Sequence, residues 1–203
     1  MGFTVTGPGR FLGSGHPDAQ TDEPPLLGLI ESSDSGRSWR PVALSGEADF
    51  HVLRTAGSSV IGYDSANNRL LSISDRGRTS RRLTKPRGTL IDLAIDPADA
   101  RHYVTATDTG IYESRTAGRS WSRLDRRRTG LLAYLAERFV LVRGDGVVEQ
   151  RTSGGWKAVG NVSGAPGALT AHEGDLFLAV QDGPVMQSSD GGHTWHVRVD
   201  KAA

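Results

Sequence analysis

Apolar and polar residues alternate along this chain in short runs, each broken by Gly, Pro, Asp or Asn. Between residues 90 and 124 the runs LIDLAID (90–96), HYVTAT (102–107) and GIYES (110–114) surround "DPADAR" and "DTG", and residues 120–124 form a fourth run. A period of two with turn residues between is the pattern of half-buried antiparallel strands. The flanking segments parse the same way, as FHVLRT, SVIGYD, RLLSIS and SRRLT before it and LLAYLA, RFVLVR, VVEQRT and WKAVG after it. No segment joins a helical period to caps. The pattern predicts an all-β chain built from groups of four short strands.

The groups repeat. "SSDSGRSW" at residues 32–39 returns as "SSDGGHTW" at residues 188–195. Aligned on Trp39, the copies fall at Ser80, Trp121, Trp156 and Trp195, in steps of 41, 41, 35 and 39 residues. Two copies are complete: Ser32, Asp34, Gly36 and Trp39 in the first, and Ser188, Asp190, Gly192, Thr194 and Trp195 in the last. "ISDRGRTS" keeps Asp75 and Gly77, "SRTAGRSW" keeps Gly118 and Trp121 but has Thr116 in the Asp place, and "QRTSGGW" is one residue short. Four strands in a unit of about 40 residues is the grammar of a β-propeller blade. The expectation is one propeller domain over residues 1–203, with repeats near 1–46, 47–88, 89–130, 131–164 and 165–200.

The repeated phrase resembles the Asp-box, or BNR repeat, of sialidases and many other propellers, where it forms the hairpin between the third and fourth strands of a blade. The chemistry suits that role. Asp and Ser oxygens accept backbone N–H groups, Gly supplies turn geometry, and Trp covers apolar surface beside the turn. Trp39 and Trp195 are therefore expected in the core, where truncation to Ala costs about 3–5 kcal/mol. A broader resemblance covers nearly all of residues 1–200. "MGFTV", "GHPD", "LGLIESSDSGRSW", "GEADFH", "GYD", "DLAIDP", "ALTA" and "SSDGGHTW" are similar to bacterial BNR-repeat proteins labelled glycosylhydrolase or exo-sialidase-like, which are akin to photosystem II assembly-factor propellers.

In that family "MGF" resembles an interior segment. The resemblance thus implies that a first blade is missing and that these five repeats come from a six-bladed ring; a true five-bladed ring is the alternative. An incomplete ring exposes blade edges, through which self-association is expected. The family label implies sialidase-like hydrolysis, which needs three arginines on the substrate carboxylate, a Tyr nucleophile with a Glu base, and an Asp acid/base. The arginines here sit mostly inside boxes (Arg37, Arg76, Arg78, Arg119) or in runs, and Tyr63, Tyr103, Tyr112 and Tyr134 read as strand aromatics. The preferred reading is a non-catalytic binding or assembly module for a protein or carbohydrate ligand, with a sialidase-like glycoside hydrolase as the alternative.

The box carboxylates read as structural, which directs attention to the opposite loops, where nothing repeats. "GHPDAQTDEPP" (15–25) is the longest loop and holds His16; "GEADFH" (46–51) holds Asp49 and His51; "GYD" (62–64) holds Tyr63 and Asp64. Strand alternation sends Asp49 and His51 to one side and Phe50 to the other. His16, Asp49, His51, Tyr63 and Asp64 are the candidate ligand-binding residues. Imidazoles beside carboxylates suit a polar ligand or a divalent metal, although the spacing matches no metal motif. No other cofactor is expected.

A net charge of +1 singles out neither nucleic acid nor an anionic membrane as partner. The basic stretches at 76–88 and 125–130 read as solubilising outer strands. With no cysteine there is neither disulfide nor thiolate chemistry. No segment approaches the ~20 apolar residues of a membrane helix. No signal peptide is written at the start, so the chain as given reads as cytoplasmic, whereas the resembling family is exported.

Overall fold

The computed structural model describes residues 1–74, 77–135 and 138–200. Its architecture is an all-β propeller of five four-stranded antiparallel blades, each a simple meander in sequence order. Blade 1 comprises β1 (Phe3–Gly7), β2 (Arg10–Gly13), β3 (Leu29–Ser32) and β4 (Arg40–Ala43). Blade 2 comprises β5 (Phe50–Ala56), β6 (Ser59–Asp64), β7 (Arg69–Ser74) and β8 (Thr79–Leu83). Blade 3 comprises β9 (Leu90–Asp96), β10 (Asp99–Thr107), β11 (Gly110–Ser114) and β12 (Ser122–Asp125). Blade 4 comprises β13 (Leu131–Leu135), β14 (Arg138–Val142), β15 (Val147–Thr152) and β16 (Gly155–Asn161). Blade 5 comprises β17 (Pro166–His172), β18 (Asp175–Val180), β19 (Val185–Ser188) and β20 (His196–Val199).

The chain divides into two compact units. The first is Met1–Lys85 with Gly118–Ser120, and holds blades 1 and 2; the second begins at Pro86 and holds blades 3, 4 and 5. In the first unit Leu12 and Leu29 of blade 1 meet Phe50, Leu53, Leu71 and Ile73 of blade 2 in a dry core. In the second unit Ala94, Val104, Ala106 and Ile111 of blade 3 meet Leu132 and Leu141 of blade 4. Val140, Val142 and Val148 then meet Leu169, Leu176 and Leu178 of blade 5. A middle strand covered on both faces reads as a continuous apolar run. β10 is buried from His102 to Thr107, and the polar residues in that run, His102, Thr105 and Thr107, are each hydrogen-bonded.

Polar staples join the inner strands. The buried Asp92 accepts the Leu93 N–H at 2.7 Å and the Leu132 N–H of the next blade at 2.8 Å. In the first unit Ser14 Oγ accepts the Phe50 N–H at 2.9 Å. Each bond satisfies an inner-strand donor that no neighbouring strand could reach.

The box motifs occupy the turns between third and fourth strands. In the first, Ser32 Oγ donates to Asp34 Oδ1 at 2.8 Å and accepts the Gly36 N–H at 2.9 Å. Asp34 also accepts the Ser38 N–H at 3.0 Å and the Ser38 hydroxyl at 2.6 Å. The last copy repeats the arrangement with Ser188, Asp190, Gly192 and Thr194. The Ser38 hydroxyl, then its N–H and the Ser32 hydroxyl, lower the Asp34 pKa to about 2. The Thr194 hydroxyl and N–H likewise hold Asp190 far below the ordinary carboxylate range. Both carboxylates are thus consumed as turn acceptors. Asp75 lies outside the described residues. The short copy in blade 4 is a tight hairpin in which Thr152 pairs with Gly155.

One expectation needs correction. Trp195 is packed against the blade 4–blade 5 core, its Nε1–H donating to Gly192 O at 3.2 Å. Trp39 is not a core residue: it is 40% exposed, lying over Gly13 of its own sheet. The motif fixes where the indole points, but only a neighbouring sheet can bury it.

Candidate functional site

In the first unit, three connections meet at the end of the blades opposite the boxes. They are the 14–28 loop of blade 1, the 44–49 connection into blade 2, and the 65–68 turn after β6. Backbone bonds stitch them together: Leu27 N–H to Gly15 O at 3.0 Å, Gly46 N–H to Leu26 O at 2.7 Å, and Ser65 N–H to Asp49 O at 2.9 Å. Within the long loop Asp18 makes its own turn, accepting the Gln20 N–H at 3.2 Å.

Asp49 is the focus of this junction. His51 Nε2 lies 2.8 Å from Asp49 Oδ2, and His16 Nε2 lies 3.6 Å from the same oxygen. Ser65 Oγ donates to Oδ2 at 3.2 Å. The Asp49 carboxylate is buried, whereas the His16 and His51 side chains are 59% and 51% exposed. His16 Nδ1 is 2.8 Å from Pro25 O. Because a carbonyl only accepts, Nδ1 donates to it, and Nε2 is left directed at the Asp49 carboxylate. Asp49 Oδ1 is buried and has no hydrogen-bond partner among the described residues. The junction thus sets two exposed imidazoles over a buried carboxylate.

Tyr63 and Asp64 stand elsewhere. Tyr63 is buried and its hydroxyl donates to Asn68 Oδ1 at 3.0 Å. Asp64 is fully buried, accepting the Asp49 N–H at 3.1 Å, Asn67 Nδ2 at 2.9 Å and Arg69 Nε at 2.6 Å. Burial raises the Asp64 pKa, but the bonds from Asn67, the Asp49 N–H and Arg69 outweigh it, and the net direction is downward. Asp64 thereby fixes the backbone at Asp49. The structure brings His16, Asp49 and His51 together, and places Tyr63 and Asp64 behind them.

Ser65, the Pro25 carbonyl and Arg69 belong to this junction without any motif to announce them. Among the described residues no group of three or more His, Cys, Asp or Glu side chains is arranged to hold a metal ion. At the junction, His51 Nε2 and Asp49 Oδ2, which a metal would need, are already bonded to each other.

The second unit holds a further polar cluster. His102 Nδ1 lies 3.0 Å from Asp96 Oδ2 and Nε2 lies 2.7 Å from Glu113 Oε1. Tyr134 packs edge-on against this imidazole. Burial, then Asp96 and Glu113, push the Tyr134 hydroxyl well above its ordinary pKa. In the basic run at 125–130, Arg128 forks onto Glu149 at 2.9 and 3.0 Å and bonds Asp125 at 2.9 Å, whereas Arg126 and Arg127 are exposed.

No protein-family model matches the chain, and no curated protein does. Solved structures do. YCF48 bound to a D1 peptide is 19% identical, with a TM-score of 0.56 over 84% of this chain and 61% of its own. The GH74 xyloglucanase of Xanthomonas campestris is 20% identical, with a TM-score of 0.64 over 98% of this chain and 32% of its own. YCF48 of Cyanidioschyzon merolae is 13% identical, with a TM-score of 0.58 over 98% of this chain and 70% of its own. The shared property is the propeller fold. The chain spans less than two thirds of the length of the first two.

Proposed function

We propose that this chain is a non-catalytic propeller module that binds a polar ligand, a polypeptide segment or an oligosaccharide, at the His16–Asp49–His51 junction. The observation that carries the reading is the convergence of two half-exposed imidazoles, one from the 14–28 loop and one from β5, on one carboxylate oxygen. The exposed imidazole edges can hydrogen-bond such a ligand, with the buried Asp49 carboxylate holding them in place. The YCF48 structure holding a peptide supports a polypeptide ligand.

The hydrolase alternative draws on the GH74 neighbours. Glycoside hydrolysis needs two available carboxyl groups about 5–9.5 Å apart across an open site. Asp64 is engaged by Arg69, Asn67 and a backbone N–H, and Asp49 is buried beneath the histidines. Both carboxylates serve the framework.

The test is a screen of immobilised peptides and oligosaccharides with the wild-type chain and the H16A/H51A variant. Binding that disappears in the variant, with no turnover of fluorogenic glycosides, is expected. Turnover of any glycoside, abolished by replacing Asp49, would overturn the reading.

A further inference from the structure

The five blades share one register, so equivalent residues can be matched through the box serines. Ser32 pairs with Phe11 and Ser188 with Leu176, which makes Phe11 the counterpart of Leu176. One step inward, Val5 pairs with Phe11 as Ala171 pairs with Leu176. Phe3 pairs with Gly13 as Leu169 pairs with Leu178. Trp39 and Trp195 follow the two boxes.

In blade 5 this Trp-bearing face is covered. Leu169, Leu176 and Leu178 are buried against Val140, Val142 and Val148 of blade 4, with Trp195 at the margin. The box turn is part of the seat: a Cβ on Gly192 (φ 95°) would lie 2.7 Å from Val148 Cγ1. Blade 2 seats its own turn on blade 1 in the same way, a Cβ on Gly77 (φ 88°) lying 2.5 Å from Val42 Cγ1. In both units the box side of a blade rests on the blade before it.

In blade 1 the residues of the same face are exposed. Phe3 is 52% exposed and Val5 56% exposed, where the matching Leu169 is 5% exposed. The Phe3 ring lies tilted against Phe11, 5.3 Å away in the same sheet, and Trp39 lies over Gly13, the residue paired with Phe3. This is a contiguous aromatic surface that water wets at a cost.

The surface that fits such a face is also present in the chain. Blade 4 covers blade 5 with Val140, Val142 and Val148. By register their counterparts in blade 5 are Phe177, Ala179 and Val185, since Val140 pairs with Gln150 as Phe177 pairs with Gln187, and Val142 with Val148 as Ala179 with Val185. These residues point away from blade 4 and are half-exposed, with Val199 exposed beside Val185. Blade 5 thus presents an apolar covering face, and blade 1 presents the face that such a surface covers. We infer that the chain associates with a second copy of itself, blade 5 of one copy seating on the Phe3–Val5–Trp39 face of blade 1 in the other.

Sedimentation velocity over a range of concentrations tests this with the exposed-site variants V5D and V199D. Wild type is expected to associate with rising concentration. Each variant alone should weaken association about tenfold or more, with an unchanged melting midpoint. Mixing the two should restore one contact, because V5D keeps an intact blade 5 and V199D an intact blade 1. A chain that stays monomeric at every concentration would overturn the inference. So would a V199D variant that associates like wild type, since blade 1 would then be pairing with itself. Loss of association in a variant that also melts early is resolved by the milder V5T and V199T, which must show the same pattern for the inference to stand.

Discussion

His51 Nε2 lies 2.8 Å from Asp49 Oδ2, across a Phe50 whose side chain is fully buried on the other side of the same strand. That alternation converts a core strand into one wall of a binding junction. Phe50 locks the backbone, and the two polar residues are held in a geometry that a flexible loop would not keep.

Replacing His51 or His16 by Ala should therefore abolish binding while moving stability by less than about 1 kcal/mol, because both imidazoles are half-exposed. Denaturant melts of H16A and H51A check the second half. A large loss of stability would mean that the histidines are structural.

The two box tryptophans should behave differently. W195A removes a side chain packed on the blade 4–blade 5 core and should cost about 3 kcal/mol, the low end for such truncations. W39A, measured on dilute protein, should cost about 1 kcal/mol or less. Equal losses at the two sites would refute the difference in burial.

Arg128 should matter more than its place in a basic run suggests. R128A leaves the buried Glu149 without its fork and should destabilise by about 2–3 kcal/mol. R128M paired with E149Q should recover part of that loss, which urea unfolding of the wild type and the two variants would show.

Acid should weaken the boxes before it weakens the core. Asp34 and Asp190 have lowered pKa values in the folded chain, about 2 for Asp34. Their contribution is complete above the unfolded value near 4 and is lost as pH falls through the folded value. The melting midpoint should fall between about pH 4 and pH 2, and less steeply in D34N and D190N than in wild type. Parallel slopes in all three would contradict the assigned role.

Much of the fold was legible. Alternation located LIDLAID, SVIGYD, RLLSIS, GIYES and VVEQRT at the bounds observed, because these strands lie between covered faces. Edges were harder. β12 begins at Ser122, not two residues earlier, since Trp121 closes the box turn. β10 begins at Asp99 through the irregular Asp99–Asp96 pair that Asp96, Pro97 and Ala98 had disguised as loop.

The candidate site was legible in part. Asp49 and His51 share a face by parity, whereas Tyr63 and Asp64 are adjacent in one strand and point opposite ways. The partners that bury Asp64 lie three and five residues further on, across a turn. His102, Asp96 and Glu113 come from three strands and meet only through register, for which no local pattern exists.

The most direct test is long-range 1H–15N NMR of the imidazole nitrogens while a peptide or oligosaccharide found by the binding screen is titrated in. The account predicts that His16 and His51 resonances shift together and saturate at one stoichiometry, with His102 and His172 unmoved. Saturable binding that leaves His16 and His51 unchanged would contradict it.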